Sequence, residues 1–207
     1  MAYHFGDWPL VFISILLFSL FALFSVKPLS KKDWKSLGLY EAYIVSLFTE
    51  MFGIPLTIYF LSSLFGLPLT ADPAHGHLLA ALLAMVGVWG LETGVTVVMA
   101  ISSLMLFLAL YLVIAGWQQV FRSKKTLVTD GLYGVVRHPQ YLGIIIATTA
   151  FLIQWPTILT VAMWPFLTYI YYKQALKEEL EMEEKFGEKY RLYKKRVPML
   201  IPRLKHR

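Results

Sequence analysis

The sequence predicts an all-α integral membrane protein with about five transmembrane helices plus a re-entrant or interfacial helix. Of its 207 residues, 57% are hydrophobic and only 15% are charged, and the mean hydropathy is +0.60. Soluble domains carry about a quarter charged residues, so this composition is typical of a membrane protein. Cysteine is absent, which excludes disulfides, thiolate nucleophiles and cysteine-ligated metal centres.

The basic residues predict the topology. All nineteen Lys and Arg lie in three blocks, at residues 27–35, 122–137 and 173–207. Positive residues flanking membrane spans stay on the cytoplasmic side, so all three blocks are expected on that face. The net charge of +6 therefore indicates orientation and attraction to anionic lipid, and not a nucleic-acid partner.

Two apolar stretches predict the first spans. Trp8–Val26 has no charged residue and is long enough to cross about 30 Å of hydrocarbon. It lacks a basic leader and a small-residue cleavage site, so we expect a retained helix rather than a signal peptide. Leu39–Phe65 is the second span, kinked at Pro55. Glu50 lies near mid-depth, either as a functional, substrate-binding group or as a hydrogen-bonded packing residue beside the kink.

The loop expected at Gly66–His77 carries two histidines one residue apart, His75 and His77. A histidine pair supplies only half of a tetrahedral site, and neither Cys nor a carboxylate cluster accompanies it. We therefore predict no metal.

Leu78–Phe121 is too long for one crossing, yet two crossings would place the second basic block outside. We therefore predict a re-entrant or interfacial helix at Leu78–Val88, a break at the glycines from Gly87 to Gly94, and a span at Val95–Phe121.

The last apolar segments, Tyr141–Gln154 and Thr157–Tyr172, predict a helical hairpin that returns the chain to the face it left. Strong helix formers without proline then continue to Tyr193, so we expect the last membrane helix to extend into the cytosol as one amphipathic segment. Val197-Pro198 stops it.

Two polar groups of residues lie at opposite ends of this hairpin. The first is in the segment TLVTDGLYGVVRHPQYLG from Thr126 to Gly143, where turn signals surround a His-Pro bond. The second comprises Gln174, Glu178 and Glu179, of which the first two share a helix face. Because a hairpin brings its ends together, His138 and Glu178 are expected to line one pocket. The alternative is a membrane anchor followed by a solvated charged helix.

The ordered pattern L-V-T-x-G-x-Y-x-x-x-R-H-P-x-Y-x-G, an E-E pair, and F-G-x-x-Y-x-x-Y-x-x-x-V-P resembles a known family. It is similar to the C-terminal half of isoprenylcysteine carboxyl methyltransferases and to the broader group of membrane methyltransferases that includes phospholipid N-methyltransferases. The resemblance runs from Gln118 to Pro202.

This resemblance implies methyl transfer from S-adenosylmethionine to a lipophilic, membrane-embedded substrate, in a multi-pass protein with a cytoplasmic active site. It assigns residues 1–117 to substrate access and scaffold, and residues 118–207 to a catalytic half whose C-terminal helical extension forms the cofactor pocket. Catalytic roles fall on Arg137, Glu178 and Glu179. The residues implied to hold the cofactor are Gln118, Lys125, Thr126, Leu127, Val128, Tyr133, His138, Pro139, Gln140, Tyr141 and Glu178.

One position departs from the family pattern. Isoprenylcysteine enzymes carry an arginine four residues before the cofactor-site glutamate, whereas this chain has Gln174. A neutral amide does not replace a bidentate cation for a carboxylate, so the acceptor stays open between a carboxylate and an amine. Gln174 and Glu50 are the predicted substrate-binding residues. Two alternatives to a methyltransferase are a sterol-reductase-like enzyme using NADPH and a non-catalytic membrane scaffold.

Overall fold

The computed structural model describes residues 5–25, 33–70, 72–123 and 126–203, and these ranges contain helices but no β-strand. The all-α prediction is therefore confirmed for this part of the chain. The nine α-helices within it are α1 (Trp8–Ser25), α2 (Asp33–Phe48), α3 (Leu56–Phe65), α4 (Pro73–Gly76), α5 (Leu78–Met85), α6 (Leu91–Arg122), α7 (Pro139–Gln154), α8 (Ile158–Phe186) and α9 (Glu188–Arg196). A π-helical turn at Thr49–Gly53 and a 3-10 turn at Gly131–Gly134 complete the described helical elements.

The described chain packs as two compact units. The first runs to Leu104 and includes Thr148–Leu167, and the second consists of Met105–Ala147 and the chain from Thr168 onwards. Helices α6, α7 and α8 each contribute one part to each unit. The functional division at residue 117 stays a prediction.

Aromatic rings and one buried hydroxyl join α2 to α7 in the first unit. The Phe48 ring stacks on Phe18 and meets Phe151 edge-on, with centroids 5.1 Å and 5.8 Å away. The fully buried Tyr43 hydroxyl donates to the Thr148 carbonyl at 2.8 Å. Aromatic pairs of this kind stabilise the fold by more than their buried area alone predicts. The buried Tyr43 hydroxyl has a hydrogen-bond acceptor, as buried polar groups require.

The predicted kink at Pro55 is present, and α2 with its π-helical turn meets α3 at 74°. Proline has no backbone N–H, and a break of this kind leaves the first N–H groups of the next helix without intrahelical acceptors. The Glu50 carboxylate accepts one of them, from Thr57 N at 2.8 Å. Glu50 is only 4% exposed, so its buried carboxylate has a backbone hydrogen-bond partner at the bend.

The two loop histidines have separate partners. His77 is buried with Nδ1 2.7 Å from the Gln154 carbonyl, whereas His75 Nδ1 lies 3.0 Å from the Thr70 hydroxyl. Among the described residues, no group of three or more metal-ligating side chains comes together.

Between them, α5 and α6 account for the ambiguous stretch after the loop. The former coincides with the predicted re-entrant or interfacial segment, and Gly87 in the following turn has φ +77°. The latter begins at Leu91, four residues earlier than predicted. Gly94 does not break it; a Cβ there would lie 2.4 Å from Trp89 Nε1, so the glycine admits the indole ring.

Of the described helices, α6 alone is long and apolar enough to cross a membrane, and the bent pair α2–α3 adds a second span if it counts as one. Shorter apolar helices are found at Trp8–Leu20 and Pro139–Gln154. The count of five spans stays a prediction. Val26 and most of the first basic block, through Lys32, lie outside the described residues.

The hairpin is formed by α7 and α8, and α8 extends well past Tyr172, as predicted. The expectation of one continuous helix to Tyr193 is wrong, because α8 ends at Phe186 and α9 starts at Glu188. Gly187 between them has φ +56°, a conformation that side-chain-bearing residues avoid and that turns the chain.

Candidate functional site

The segment Thr126–Gly143 forms one side of the site in the second unit. Gly131 has φ +57° and opens the 3-10 turn, and α7 then begins at Pro139. Proline suits the first helical position because its missing N–H would have no intrahelical acceptor there. The His-Pro bond thus places His138 immediately before α7, where its carbonyl accepts a hydrogen bond from Leu142 N of the helix at 3.1 Å.

The last glycine of this segment lets α7 approach α6 closely within the second unit. A Cβ on Gly143 would lie 2.7 Å from Val113 Cγ2 and 2.8 Å from the Ala109 carbonyl oxygen. Such distances are not tolerated by real Cβ atoms, and a backbone oxygen cannot rotate away. Gly116 likewise faces Pro139 and Gln140, so the start of α7 is fixed against α6.

Arg137 and Glu179 form a buried ion pair at the centre of the site. The Arg137 Nε donates to Glu179 Oε1 at 2.7 Å, and Arg137 Nη2 lies 2.5 Å from the same oxygen. Arg137 is 9% exposed and Glu179 is 1% exposed. A carboxylate this deeply buried needs a charged partner to stay ionised, and the guanidinium provides it.

The same arginine holds the C-terminal strap, which we define as residues 194–199. Its NH1 group donates to the carbonyl of Lys194 at 3.0 Å and to that of Val197. The backbones also pair, from Arg137 N to Pro198 O at 2.9 Å and from His138 N to Met199 O at 3.1 Å. The strap therefore fixes Arg137 and His138 through both main chain and side chain.

His138 lies between the two glutamates. Its Nδ1 is 3.6 Å from Glu178 Oε2 and its Nε2 is 3.5 Å from Glu179 Oε1. Burial lowers the pKa of His138, but interactions with both carboxylates outweigh burial and raise that pKa above its ordinary value. Nε2 is buried and makes no hydrogen bond within the chain. Tyr141, whose ring stacks on His138, donates its hydroxyl to Glu178 Oε1.

Glu179 is surrounded by cations. Besides Arg137 and His138, Lys194 Nζ lies 3.0 Å from Glu179 Oε2 and 2.7 Å from Glu183 Oε1. Burial raises the pKa of Glu179, but interactions with His138, Arg137 and Lys194 more than offset it and lower that pKa to about 2. The Glu179 carboxylate is therefore ionised at neutral pH, and these cations balance its charge within the protein.

Tyrosines from α9 close the other side of the site. Tyr190, Tyr193 and Val197 are buried together against Leu127 and Phe186. The Tyr193 hydroxyl donates to the Tyr133 carbonyl at 2.7 Å. Burial, followed by the charge of Glu179, raises the pKa of Tyr190, so this phenol is a neutral donor.

These groups surround a cavity of about 290 Å³ in the second unit. Its wall combines apolar and aromatic side chains with three ionisable groups of the cluster above. The lining residues are Val120, Ser123, Thr126, Leu127, Val128, Tyr133, Arg137, His138, Glu178, Met182, Lys185, Phe186, Tyr190 and Tyr193.

Seven of the fifteen predicted site residues line this cavity. Those that line it are Thr126, Leu127, Val128, Tyr133, Arg137, His138 and Glu178. Tyr141 contacts the site through Glu178, and Glu179 lies behind His138 and Arg137. Pro139 and Gln140 pack towards Gly116 instead.

Three other predicted residues, all within the described part of the chain, stand apart from the lining. Gln118 is exposed, Gln174 is half-buried one turn before Glu178, and Glu50 belongs to the first unit. Lys125 lies outside the described residues. The functional roles of all these residues stay predictions.

Sequence reasoning assigned no site role to the strap or to seven lining residues, which are Val120, Ser123, Met182, Lys185, Phe186, Tyr190 and Tyr193. Phe186, Tyr190 and Tyr193 were part of the F-G-x-x-Y-x-x-Y pattern, and their spacing was the available signal. The three aromatic positions share one face when Gly187 bends the chain between them.

The RHP segment and the E-E pair are thus joined by direct contacts, 42 residues apart along the chain at Arg137 and Glu179. Residues 95–184 match the isoprenylcysteine carboxyl methyltransferase family. The family resemblance predicted from the motifs is confirmed, and the match includes both halves of the buried cluster. The segment after residue 184, with α9 and the strap, lies beyond the matched range.

Three curated relatives are methyltransferases. The chain is 32% identical over 77 residues to a protein-S-isoprenylcysteine O-methyltransferase of Schizosaccharomyces pombe, covering 37% of this chain and 33% of that protein. It is 44% identical over 78 residues to a methanethiol S-methyltransferase of Crocosphaera subtropica, covering 36% and 28%. It is 45% identical over 74 residues to methanethiol S-methyltransferase 1 of Bradyrhizobium diazoefficiens, covering 36% and 25%.

The aligned part therefore spans only a quarter to a third of the length of these family relatives. No solved structure matches the chain at a significant level.

Proposed function

We propose that this protein is a multi-pass membrane methyltransferase that uses S-adenosylmethionine, bound on the cytoplasmic face, to methylate a lipophilic acceptor from the bilayer. The observation that carries the proposal is the single cavity that joins His138 to Glu178, since both lie in the segment that matches a methyltransferase family. The topology rests on the three basic blocks of the sequence.

The cavity suits the methyl donor chemically. S-adenosylmethionine combines a flat adenine, ribose hydroxyls, an ammonium and a carboxylate with a cationic sulfonium. The rings of Tyr133, Phe186 and Tyr190 offer aromatic surface for the adenine, and the partly exposed Glu178 carboxylate can accept hydrogen bonds from hydroxyl or ammonium groups. Ligand sites measure about 300–1,000 Å³, so this cavity is near the lower limit.

The imidazole of His138 supports a ligand at this position. His138 lines the cavity beside the partly exposed Glu178, and an imidazole nitrogen can exchange a hydrogen bond with a polar group of the cofactor.

The methyl group is already activated on the sulfonium, so the task of the chain is to bind, align and exclude water. Glu178 is the cofactor-contacting carboxylate, oriented by Tyr141 and His138. Arg137 and Glu179 direct their charges at each other and at the strap, so in this proposal they position His138 and Glu178 rather than touch reactants.

The acceptor is proposed to be a carboxylate, an amine or a thiol at the end of an apolar group. The yeast relative is named for an isoprenylcysteine and two bacterial relatives for methanethiol. Gln174 favours a thiol or an amine over a carboxylate, because this neutral residue cannot give the bidentate cationic contact that a carboxylate prefers. A thiol or an amine must also lose a proton, for which Glu178 is the available carboxylate.

Calorimetric titration of the purified full-length chain separates the proposal from its competitors. We expect binding of S-adenosylmethionine and none of NADPH; binding of NADPH alone would indicate a reductase, and binding of neither a scaffold. Glu178→Gln is expected to lose binding. Glu184→Gln is the matched control, since Glu184 is an exposed residue of the same helix and does not line the cavity.

The acceptor is identified by incubation with methyl-labelled S-adenosylmethionine and three substrates in parallel: host lipid extract, a prenylated cysteine and a small thiol. Label in lipid or prenylcysteine supports a lipophilic acceptor. Label in the small thiol alone would contradict it while leaving the methyltransferase proposal intact.

A further inference from the structure

Helix α9 has two faces of opposite character. Tyr190, Tyr193 and Val197 are buried on one face. Lys189, Leu192 and Arg196 follow an i, i+3, i+7 spacing on the other, and all three are exposed, Leu192 by 47%. The helix therefore packs against the second unit with one side and presents a mixed basic and apolar side outward.

The outward cations differ from the other basic residues of α9. Arg191 pairs with Glu183 and Glu188 at 4.0 and 3.7 Å, and Lys194 pairs with Glu179 and Glu183. In the part of the chain that the structure describes, Lys189, Lys195 and Arg196 have no such acidic partner. Their positive charge is thus available to an external anion.

Two of these cations line a groove whose wall combines apolar side chains with two threonines, Thr126 and Thr129. A groove of about 700 Å³ runs along α9, and both Lys189 and Arg196 line it beside Leu127, Leu192 and Phe186. Beyond the strap, Ile201 is 81% exposed. Exposed aliphatic side chains next to unpaired cations are typical of helices that lie in the interface of an anionic membrane.

We propose that this groove binds an anionic phospholipid, with the headgroup phosphate held by Lys189 and Arg196 and the start of the acyl region against Leu192 and Leu127. Both parts of such a lipid find a complementary surface. Its phosphate matches the two cations, and its acyl chain matches the apolar side chains beside them, which exclude water. Anionic lipids are enriched in the cytoplasmic leaflet, where the basic blocks place α9. The proposal does not depend on methyl transfer.

The test measures lipid retention by the purified full-length chain in a neutral detergent, using native mass spectrometry. The probes are short-chain phosphatidylglycerol and short-chain phosphatidylcholine. The wild type is expected to bind phosphatidylglycerol about tenfold or more tightly than phosphatidylcholine, as two basic contacts predict. The variant Lys189→Gln/Arg196→Gln is expected to lose this preference.

Two further variants separate the groove from charge in general. Lys173→Gln/Lys177→Gln removes the same charge from α8, away from the groove, and should keep the preference. Lys189→Arg/Arg196→Lys retains both cations and should keep it as well.

Three outcomes would overturn the proposal. The first is a wild type that binds phosphatidylglycerol and phosphatidylcholine equally well. The second is a Lys189→Gln/Arg196→Gln variant that keeps the preference for phosphatidylglycerol. The third is a Lys173→Gln/Lys177→Gln control that loses this preference to the same extent. Displacement of the lipid by equimolar inorganic phosphate would likewise overturn it, because the groove would then bind phosphate without regard to the acyl chain.

Discussion

Replacement of Arg137 tests whether the buried ion pair holds the site together. Arg137→Met keeps the length and apolar stem of the side chain but leaves Glu179, which is 1% exposed, without its main cation. Breaking a buried pair in this way costs about 3–5 kcal/mol. Lys194, 3.0 Å from the other carboxylate oxygen, retains part of the compensation, so we expect the lower end of that range.

Arg137→Lys separates charge from geometry. A lysine retains the positive charge but cannot serve Glu179 and the carbonyls of Lys194 and Val197 together. Leaving such acceptors unsatisfied costs about 1–3 kcal/mol. The order of stability is therefore expected to be wild type, then Arg137→Lys, then Arg137→Met.

The assay is thermal unfolding of the purified chain in detergent. At about 2–4 °C per kcal/mol for a chain of this size, Arg137→Met should unfold on the order of 10 °C below the wild type. Arg191→Met is the control, since Arg191 is an exposed arginine of α9 with surface ion pairs only, and it should shift by about 2 °C or less.

A double-mutant cycle with Glu179→Leu completes the test. If Arg137 and Glu179 interact as the structure shows, the stability lost by the combined variant is clearly smaller than the sum of the stability losses of the two single variants. Additive losses, or an Arg137→Met variant as stable as Arg191→Met, would refute the reasoning.

Three other predictions concern groups around the same cluster. Tyr141→Phe removes the hydroxyl that orients Glu178, so S-adenosylmethionine should bind about tenfold or more weakly by calorimetry while the unfolding temperature changes little, and unchanged affinity would contradict this role. Burial lowers the pKa of His138 but both carboxylates raise it overall, so the stability from its protonated form is complete below about pH 6.5 and is lost as pH rises through the raised pKa. The gap in unfolding temperature between wild type and His138→Gln should therefore narrow as the pH rises above about 6.5; a constant gap would show that the charge is not involved. Gly143→Ala places a methyl 2.8 Å from a backbone oxygen of α6 and should cost about 1–3 kcal/mol in thermal unfolding, whereas Gly38→Ala, with open space around it, should not.

The helices were predictable where composition decides them. Long apolar runs without charge predicted α1 and α6, and Pro55 predicted the bend between α2 and α3 because proline cannot donate to the helical ladder. The contact between His138 and Glu178 was also predictable, since a hairpin joins the ends of its two arms.

The break at Gly187 and the strap were not predictable in the same way. A single glycine inside a charged helical pattern is compatible with a helix that continues through it. The turn at Gly187 is stabilised by the burial of Tyr190 and Tyr193, which is a tertiary contact. The strap is held by backbone hydrogen bonds to Arg137 and His138, which any residue type can make and which therefore leave no mark in the sequence.

The hydrogen bonds between the strap and the RHP segment also constrain the order in which the site can form during protein synthesis. A ribosome adds residues from the N-terminus, so Arg137 is synthesised well before its partners Val197 and Pro198. The membrane helices can be inserted during this interval, whereas the cavity wall from α9 cannot close until Met199 has been made. A nascent chain therefore cannot acquire a complete cavity before nearly all of its helices have been synthesised.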